Sequence, residues 1–475
     1  DHITVMLKPG KTQADLVTLN TQLGGSIRSV VVAPDLYLVA FTNATLDTVS
    51  DAVLAYQAAT NTVLYAGPDA VFHTTSTFPN DPSFTNLWGL HNTGQAGGTS
   101  DADIDAPEAW DISTGSGVVV AVLDSGIDYN HEDLSANMWS NTNEIAGNGI
   151  DDDSNGYIDD IYGYDGYNED GDPMGDNDHG THCAGTIAAV GNNATGVVGV
   201  AWQAKLIALK GLSSGGGGTA SAQIRCLNYL KTIVQAGVDV RVVSASFGDL
   251  GEAYNDYPFR LKIRELGSLG VLFVSGAGND GIDLGDRGIN FYPACYDEDN
   301  IIAVAAVDRY GIMSGFSNYG KDRIDLAAPG EEIWSTVLGN GYYKYGGTSM
   351  ATPHVAGVAA LLFSHSPSAT VARVKRALID GADPMSVPLC GKTVSDGSVN
   401  AATSLALLAA VAAPLFDPPG GFYDSDAVSV TIESLTPGAT VYYTTNGTTP
   451  DQTSAAYTGP VDVPMGTALK ASAYL

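Results

Sequence analysis

The sequence predicts an α/β protein: a large parallel sheet covered by helices on both faces, with a small α+β unit before it and an antiparallel β-sandwich after it. Three observations carry this prediction. Between about Leu87 and Ala413, short β-branched runs ending in small or polar residues alternate with helix-like stretches. Residues 1–75 run strand, helix, strand, strand, helix, strand. From residue 414 onward, Val, Thr and Tyr alternate between Pro-Gly and Asn-Gly turns.

In the first unit, ITVMLKPG alternates like a strand and KTQADLVTLNTQLGG reads as a helix with a glycine stop. VVVAPDLYLVAFT supplies more strand, TLDTVSDAVLAYQAAT a second helix, and VLYAGPDAVFH the last strand. Residues 76–86, around the polar, proline-bearing run TTSTFPNDPSF, read as a linker and a cleavage zone. Residues 87–413 form the large domain. Its strands are VVVAVLDSG, KLIALKGL, VRVVSASFG, GVLFVSGAGND and IIAVAAVD, separated by helices such as SAQIRCLNYLKTIVQAG and RLKIRELGSLG. In such a sheet, ligand and catalytic groups gather beyond the C-terminal ends of the strands. Residues 414–475 hold no nucleophile–base pair and read as an accessory module.

The net charge is −32, from 21 basic and 53 acidic residues, and no Lys or Arg occurs between Arg28 and Lys205. So acidic a chain argues against nucleic acid, whose phosphates would repel it, and favours bound cations and a saline or calcium-rich medium. No apolar run reaches membrane-spanning length. The chain starts at Asp1 rather than Met, which fits a secreted protein with its leader removed. Cys183, Cys226, Cys295 and Cys390 lack zinc-like spacing, and the sequence leaves three pairings, or free thiols, open.

Chemistry concentrates in four stretches. At Gly346 the chain reads GGTSMATPHVAGVAALLFS: two glycines deliver Thr348 and Ser349, and an Ala-rich, buried helix begins. A serine in a helix's first turn sits where free N–H groups and the positive dipole end point outward. It can cap the helix, or attack a carbonyl and have the oxyanion stabilised. VVVAVL ends at Asp124. In DNDHGTHCAGTIAA, His179 opens a helix; His182 lies one turn on, but without HExxH or a third ligand the pair makes a poor zinc site. In FVSGAGND, Asn279 follows a buried strand and can donate a side-chain N–H.

Asp124, His179, Asn279 and Ser349, in LDSGID, HGTHCAGT, GAGN and GTSMATPHVAG, resemble the subtilisin-like serine peptidases, the subtilases, over roughly residues 80–412. The thermitase and proteinase K branches are the most similar. The resemblance implies Ser349 as nucleophile, His179 as general base and then acid, and Asp124 as the group holding the imidazole. It implies that the Ser349 N–H and the Asn279 amide bind the oxyanion. It further implies that Gly215, Gly216 and Gly217 belong to an edge strand pairing with extended substrate. Ser246, Phe247 and Gly248, with Gly276, Ala277 and Gly278, would line the pocket for the residue before the scissile bond. Phe291 stands where many relatives carry a smaller residue. Cys183 is implied to be a free thiol beneath the histidine. Residues 1–75 resemble a propeptide that chaperones and inhibits its own protease, and 414–475 resemble the C-terminal β-sandwich of chitobiase-type glycosidases.

Calcium is the expected cofactor, at two or three sites. From Glu144 to Asp178 there are twelve Asp or Glu and no Lys or Arg, so the segment needs cations to fold compactly. Asp151, Asp153 and Asn155, followed by Gly156, copy the opening of an EF-hand loop. Its twelfth position is Tyr162 rather than Glu, leaving Asp159 or Asp160 to close the shell. A second set is Asp165, Asn168, Asp170 and Asp172, similar to a loop in the thermitase branch. A third, as in subtilases generally, is Asp81, Asp133, the Asn193 side chain and the carbonyls of Thr195 and Val197. The expectation is therefore a secreted, monomeric, self-processing serine endopeptidase acting on proteins and peptides, inhibited by its own propeptide and engaging neither nucleic acid nor membrane. A catalytically silent subtilase serving as a binding module is the alternative.

Overall fold

The computed structural model describes all residues except 1, 33–34, 42–45, 69–76, 252–256, 286–287, 385–390, 410–413, 422–426, 437 and 475. The chain divides into two compact units, Asp1–Thr75 and Ser76–Leu475.

The first unit runs β1 (His2–Leu7), α1 (Gln13–Leu23), β2 (Ser26–Val32), β3 (Leu36–Ala40), α2 (Leu46–Ala58) and β4 (Val63–Pro68). Its antiparallel sheet has the order β2-β3-β1-β4. Ile3, Val5 and Leu7 fall at period two, so all three face the helices and meet Leu16, Tyr37, Val39 and Tyr56 in one core. The Asp15 side chain accepts the Thr12 N–H at 2.8 Å, closing the start of α1, and Gly24, with φ +77°, ends it.

The second unit is built on a nine-stranded sheet. Its elements begin with α3 (Ala106–Trp110), β5 (Val119–Asp124), β6 (Gly163–Asp165), α4 (Asp178–Ala188), β7 (Lys205–Lys210) and α5 (Ala220–Gln235). They continue with β8 (Val240–Ala245), β9 (Asp249–Gly251), α6 (Tyr257–Ser268), β10 (Leu272–Gly276), β11 (Asn290–Tyr292) and β12 (Ile301–Val307). Next come β13 (Leu326–Pro329), β14 (Ile333–Val337), β15 (Gly341–Tyr345), α7 (Thr348–His365) and α8 (Val371–Asp380). β16 (Asp383–Pro384), β17 (Gly397–Ser398) and α9 (Ala401–Ala409) close it.

The sheet order is β16-β17-β13-β12-β10-β8-β5-β7-β6, parallel except for the edge strand β16. Alternation along the strands splits the core in two. Val120, Val122, Leu206, Ala208 and Val274 face α4 and α7, whereas Val119, Ala121, Leu123, Ile207 and Phe273 face α5 and α6. Both faces are covered, so the strands read as unbroken apolar runs. α7 is buried along most of its length, as its Ala- and Gly-rich sequence requires.

The remaining strands are β18 (Leu415–Asp417), β19 (Ala427–Glu433), β20 (Thr440–Thr444), β21 (Ala455–Ala456), β22 (Val461–Pro464) and β23 (Lys470–Tyr474). They form two antiparallel sheets, β18-β19-β22 and β21-β20-β23.

Candidate active site

β5 carries Asp124 to the C-terminal edge of the sheet, where its carboxylate is buried and accepts the Ser125 N–H at 2.8 Å. His179 enters from the first turn of α4, which Asn177 caps by accepting the His179 N–H at 2.9 Å. The two side chains meet: His179 Nδ1 lies 2.8 and 3.0 Å from the Asp124 oxygens. An Nδ1 held this way carries the proton, leaving Nε2 as a base. Gly180 permits the approach, since a Cβ there would collide with the Gly126 carbonyl. Burial pulls the His179 pKa down, but the Asp124 charge and hydrogen bond outweigh it and set the pKa above the ordinary histidine value.

Ser349 is the second residue of α7, delivered by Gly347, whose φ of +154° suits glycine. Its Oγ donates to the Ser246 carbonyl at 3.1 Å. Its own carbonyl has a separate history. Pro353, four residues on, has no N–H to offer, so the Ser349 carbonyl accepts instead from Ser246 Oγ at 2.9 Å and meets Cys183 Sγ at 3.5 Å. Asn279 Oδ1 accepts the Thr348 N–H at 2.8 Å and the Thr348 hydroxyl at 3.1 Å. That leaves the Asn279 NH₂ as the free end of the amide. Asp124, His179, Asn279 and Ser349 all line one cleft. A hydroxyl, an imidazole base, a carboxylate and N–H donors in one cleft can perform acyl transfer.

Other expectations divide. Gly216, Ser246, Phe247, Gly248, Gly276 and Gly278 line the same cleft; Ala277 is fully buried between its glycine neighbours. The expected edge strand at Gly215–Gly217 is corrected: Ser213 and Gly217 bond each other, with Ser213 N–H to Gly217 carbonyl at 2.8 Å, closing a tight turn. The glycines that the resemblance assigned to a strand serve that turn. His182 turns its Nε2 to the Ile333 and Tyr343 carbonyls at 3.0 and 3.1 Å, and burial lowers its pKa to about 4. Cys183, Cys226 and Cys295 are buried free thiols; Cys390 lies outside the described residues. Burial drives the Cys183 pKa far up, so it stays protonated beside His179.

The acidic sets also divide. Lys210 ends β7 and is itself buried; its ammonium sits 2.8 Å from Asp165 Oδ2 and 3.1 Å from Asp176. Asp165 also accepts the N–H groups of Tyr167 and Asn168 and the Asn168 side chain. Asp170 and Asp172 spend oxygens on the Asp172 and Met174 N–H groups, at 3.0 and 3.2 Å. Within the expected set Asp165, Asn168, Asp170 and Asp172, a side-chain cation thus already neutralises the buried carboxylate.

Elsewhere Glu144, Asp153 and Asp160 bring ligand oxygens within 4.8 Å of one another. Asn155 bonds Asp151, Asp153 and Asp160, and Asn141 bonds Asp153 and Asp160. Burial raises the Asp160 pKa to about 6. Asp159 turns to the Asn148 and Gly149 N–H groups instead. The EF-hand spacing missed Glu144 and Asn141, which join from upstream; the signal was Glu144 opening the acidic run.

Asp81 and Asp133 are likewise buried and joined through the 192–197 loop. Asn193 Nδ2 reaches Asp133 at 2.8 Å, while the Asn192 N–H reaches Asp81 at 2.7 Å. Thr195 and Val197 present N–H groups here, to Asn193 Oδ1 and Asp133. Burial raises the Asp133 pKa to about 6. Among the described residues, no Lys or Arg forms an ion pair with Glu144, Asp153, Asp160, Asp81 or Asp133. Buried carboxylates without a side-chain cation are what a hard, oxygen-seeking ion fits.

Comparison with known proteins supplies the context. The profile of the Subtilase family matches residues 115–406, and that of the Chitobiase/beta-hexosaminidase C-terminal domain matches 418–474. Thermitase of Thermoactinomyces vulgaris is 36% identical over 323 residues, covering 68% of this chain and 97% of that protein. Subtilisin-like protease 1 of Plasmodium vivax is 38% identical over 273 residues, covering 54% of this chain but 42% of its own length. The chain thus spans less than half the length of that relative. A solved protease structure from Pseudoalteromonas arctica superposes with a TM-score of 0.56 at 29% identity, covering 70% of this chain and 100% of that one.

Proposed function

The chain belongs to the subtilase family, and we propose that it is a serine endopeptidase hydrolysing peptide bonds of proteins through an acyl-enzyme. One observation carries this most: His179 Nδ1 is pinned to Asp124 at 2.8 Å, with Ser349 in the same cleft. The Ser349 hydroxyl leaves the Ser246 carbonyl, gives its proton to His179 Nε2 and attacks the substrate carbonyl. The Ser349 N–H and Asn279 Nδ2 donate to the oxyanion. His179, stabilised as imidazolium by Asp124, returns the proton to the leaving amine; water then repeats the sequence on the ester. Gly216, Gly248 and Gly278 border the substrate path.

Two calcium sites belong to this reading. Asp151, Asp153, Asn155, Asp160 and Glu144 would hold one ion; Asp81, Asp133, the Asn193 side chain and the carbonyls of Thr195 and Val197 would hold the other. Bound there, calcium would offset buried negative charge and fix loops that lead towards His179. Residues 1–75 act as propeptide and inhibitor, with processing near 76–86, and the mature monomer is secreted. The separate compact first unit and the strongly acidic composition support these parts.

The test is labelling by a serine-directed fluorophosphonate together with hydrolysis of a protein substrate. Both should be present in the native chain and absent from Ser349→Ala, which should also remain unprocessed. Hydrolysis surviving in a purified Ser349→Ala preparation would end the proposal.

A further inference from the structure

Beyond Ser349 the cleft runs between two walls. One continues β8 through Ser246, Phe247 and Gly248; the other continues β10 through Gly276, Ala277 and Gly278. Phe291, the middle residue of β11, stands between them. A Cβ on Gly248 would collide with Cε1 of its ring, and a Cβ on Gly278 would stand 2.7 Å from Cδ2 and Cε2. Opposite edges of one ring therefore touch both walls, and each wall has glycine where it touches. Gly278, with φ +95°, is conformationally committed as well.

The ring has nowhere to retreat. Phe291 is 9% exposed and packs in a cluster with Ala277, Leu284, Ala294 and Cys295. Its backbone is paired with Leu250 of β9 in a two-stranded sheet, which fixes the register. Swinging the ring out would break that packing, so the ring keeps its place between the two walls.

We propose that Phe291 determines specificity by plugging this slot, so that cleavage follows residues with small side chains: Gly, Ala and Ser. The proposal rests on the peptidase reading of the cleft. Selection of this kind works by exclusion: a large side chain before the scissile bond needs the volume the ring already holds. Small residues lose nothing, because they never reach the ring.

The experiment uses the processed enzyme with calcium and counts live sites first, by fluorophosphonate titration, a reaction that needs no large side chain in the slot. Then kcat/KM is compared for peptides differing only in the residue before the scissile bond: Ala, Ser, Leu or Phe. The native enzyme should favour Ala and Ser over Leu and Phe by about ten-fold or more, the scale on which hydrophobic pockets discriminate by size. Phe291→Gly should raise the Leu and Phe peptides by about ten-fold, chiefly through KM, and leave Ala within about three-fold. Phe291→Leu, which keeps an apolar residue in the cluster, should fall between. Native enzyme cleaving after Phe or Leu as well as after Ala overturns the proposal, as does a titratable variant that keeps the native preference. Failure to titrate with Ser349 intact would sink the peptidase reading and this proposal with it. Titration without size preference sinks the proposal alone.

Discussion

Two acidic clusters, only a few residues apart in sequence, solve the same electrostatic problem in opposite ways. The turn at Asp165 is neutralised from within, by the Lys210 ammonium 2.8 Å away. The cluster of Glu144, Asp153 and Asp160 packs its carboxylates within 4.8 Å, and no Lys or Arg pairs with it among the described residues. Asn141 and Asn155 supply N–H donors there, but a dipole does not cancel a charge. The difference teaches that acidic density alone does not mark a metal site. What matters is whether the fold brings its own cation into reach.

The comparison breaks most visibly at Lys210. Lys210→Met keeps the length of the side chain but leaves Asp165 buried without its partner. Removing one member of a buried pair costs about 3–5 kcal/mol, to be read from urea unfolding of the Ser349→Ala form. A loss below about 1 kcal/mol would mean that water, rather than Lys210, stabilises that carboxylate.

Chelation should act on the other cluster. Each site saturated a hundredfold above its Kd contributes about 2.7 kcal/mol, which EDTA removes. Limited proteolysis of Ser349→Ala in EDTA should cut first between Glu144 and Asp160 and spare the Asp165–Asp176 turn. Equal early cutting of both would dissolve the distinction.

The effect also has a pH signature. Asp160 and Asp133, raised by burial to about 6, bind protons more readily folded than unfolded. In EDTA, the stability these two groups contribute should therefore be present below about pH 4 and be lost as pH rises through about 6; in calcium that loss should vanish. The urea midpoint against pH, with and without calcium, reads it directly, and identical profiles would remove calcium from these carboxylates.

A smaller change sharpens the comparison by sign. Asp160→Asn deletes a proposed ligand in calcium but relieves a buried charge in EDTA. The melting temperature should fall in calcium and rise in EDTA, by roughly 2–4 °C each. The same sign in both conditions would place Asp160 outside any metal site.

The smallest effect is on rate. Because Asp124 holds the His179 pKa above the ordinary histidine value, the acidic limb of kcat/KM should lie above about pH 6.5. A limb at or below that value would mean that burial outweighs the Asp124 charge at His179. A rate with no acidic limb at all, with chemistry limiting, would contradict His179 as the base.

Much of this was legible in the chain itself. The β-branched runs announce the strands that carry Asp124 and Asn279, and Gly-Gly before Thr348 announces the turn that presents Ser349. These are local signals, set by backbone conformation and by alternation along a strand. The Gly215–Gly217 turn was not legible, because a glycine run fits a strand edge and a tight turn equally well. Glu144 was missed for a related reason: spacing rules compare near neighbours, while Glu144 bonds the Asp152, Asp153 and Asp159 N–H groups across a folded loop.

The sequence by itself determined which chemical groups are present, in what order, and at which strand and helix ends they stand. Those properties follow from torsional preferences and hydrophobic periodicity, which act over a few residues. Only the tertiary structure decided which groups meet. Lys210 reaches Asp165 across 45 positions of chain, and the Phe291 ring stands between Gly248 and Gly278, which follow two other strands. Charge pairing and steric exclusion depend on distance through space, and periodicity along a chain carries no record of that distance.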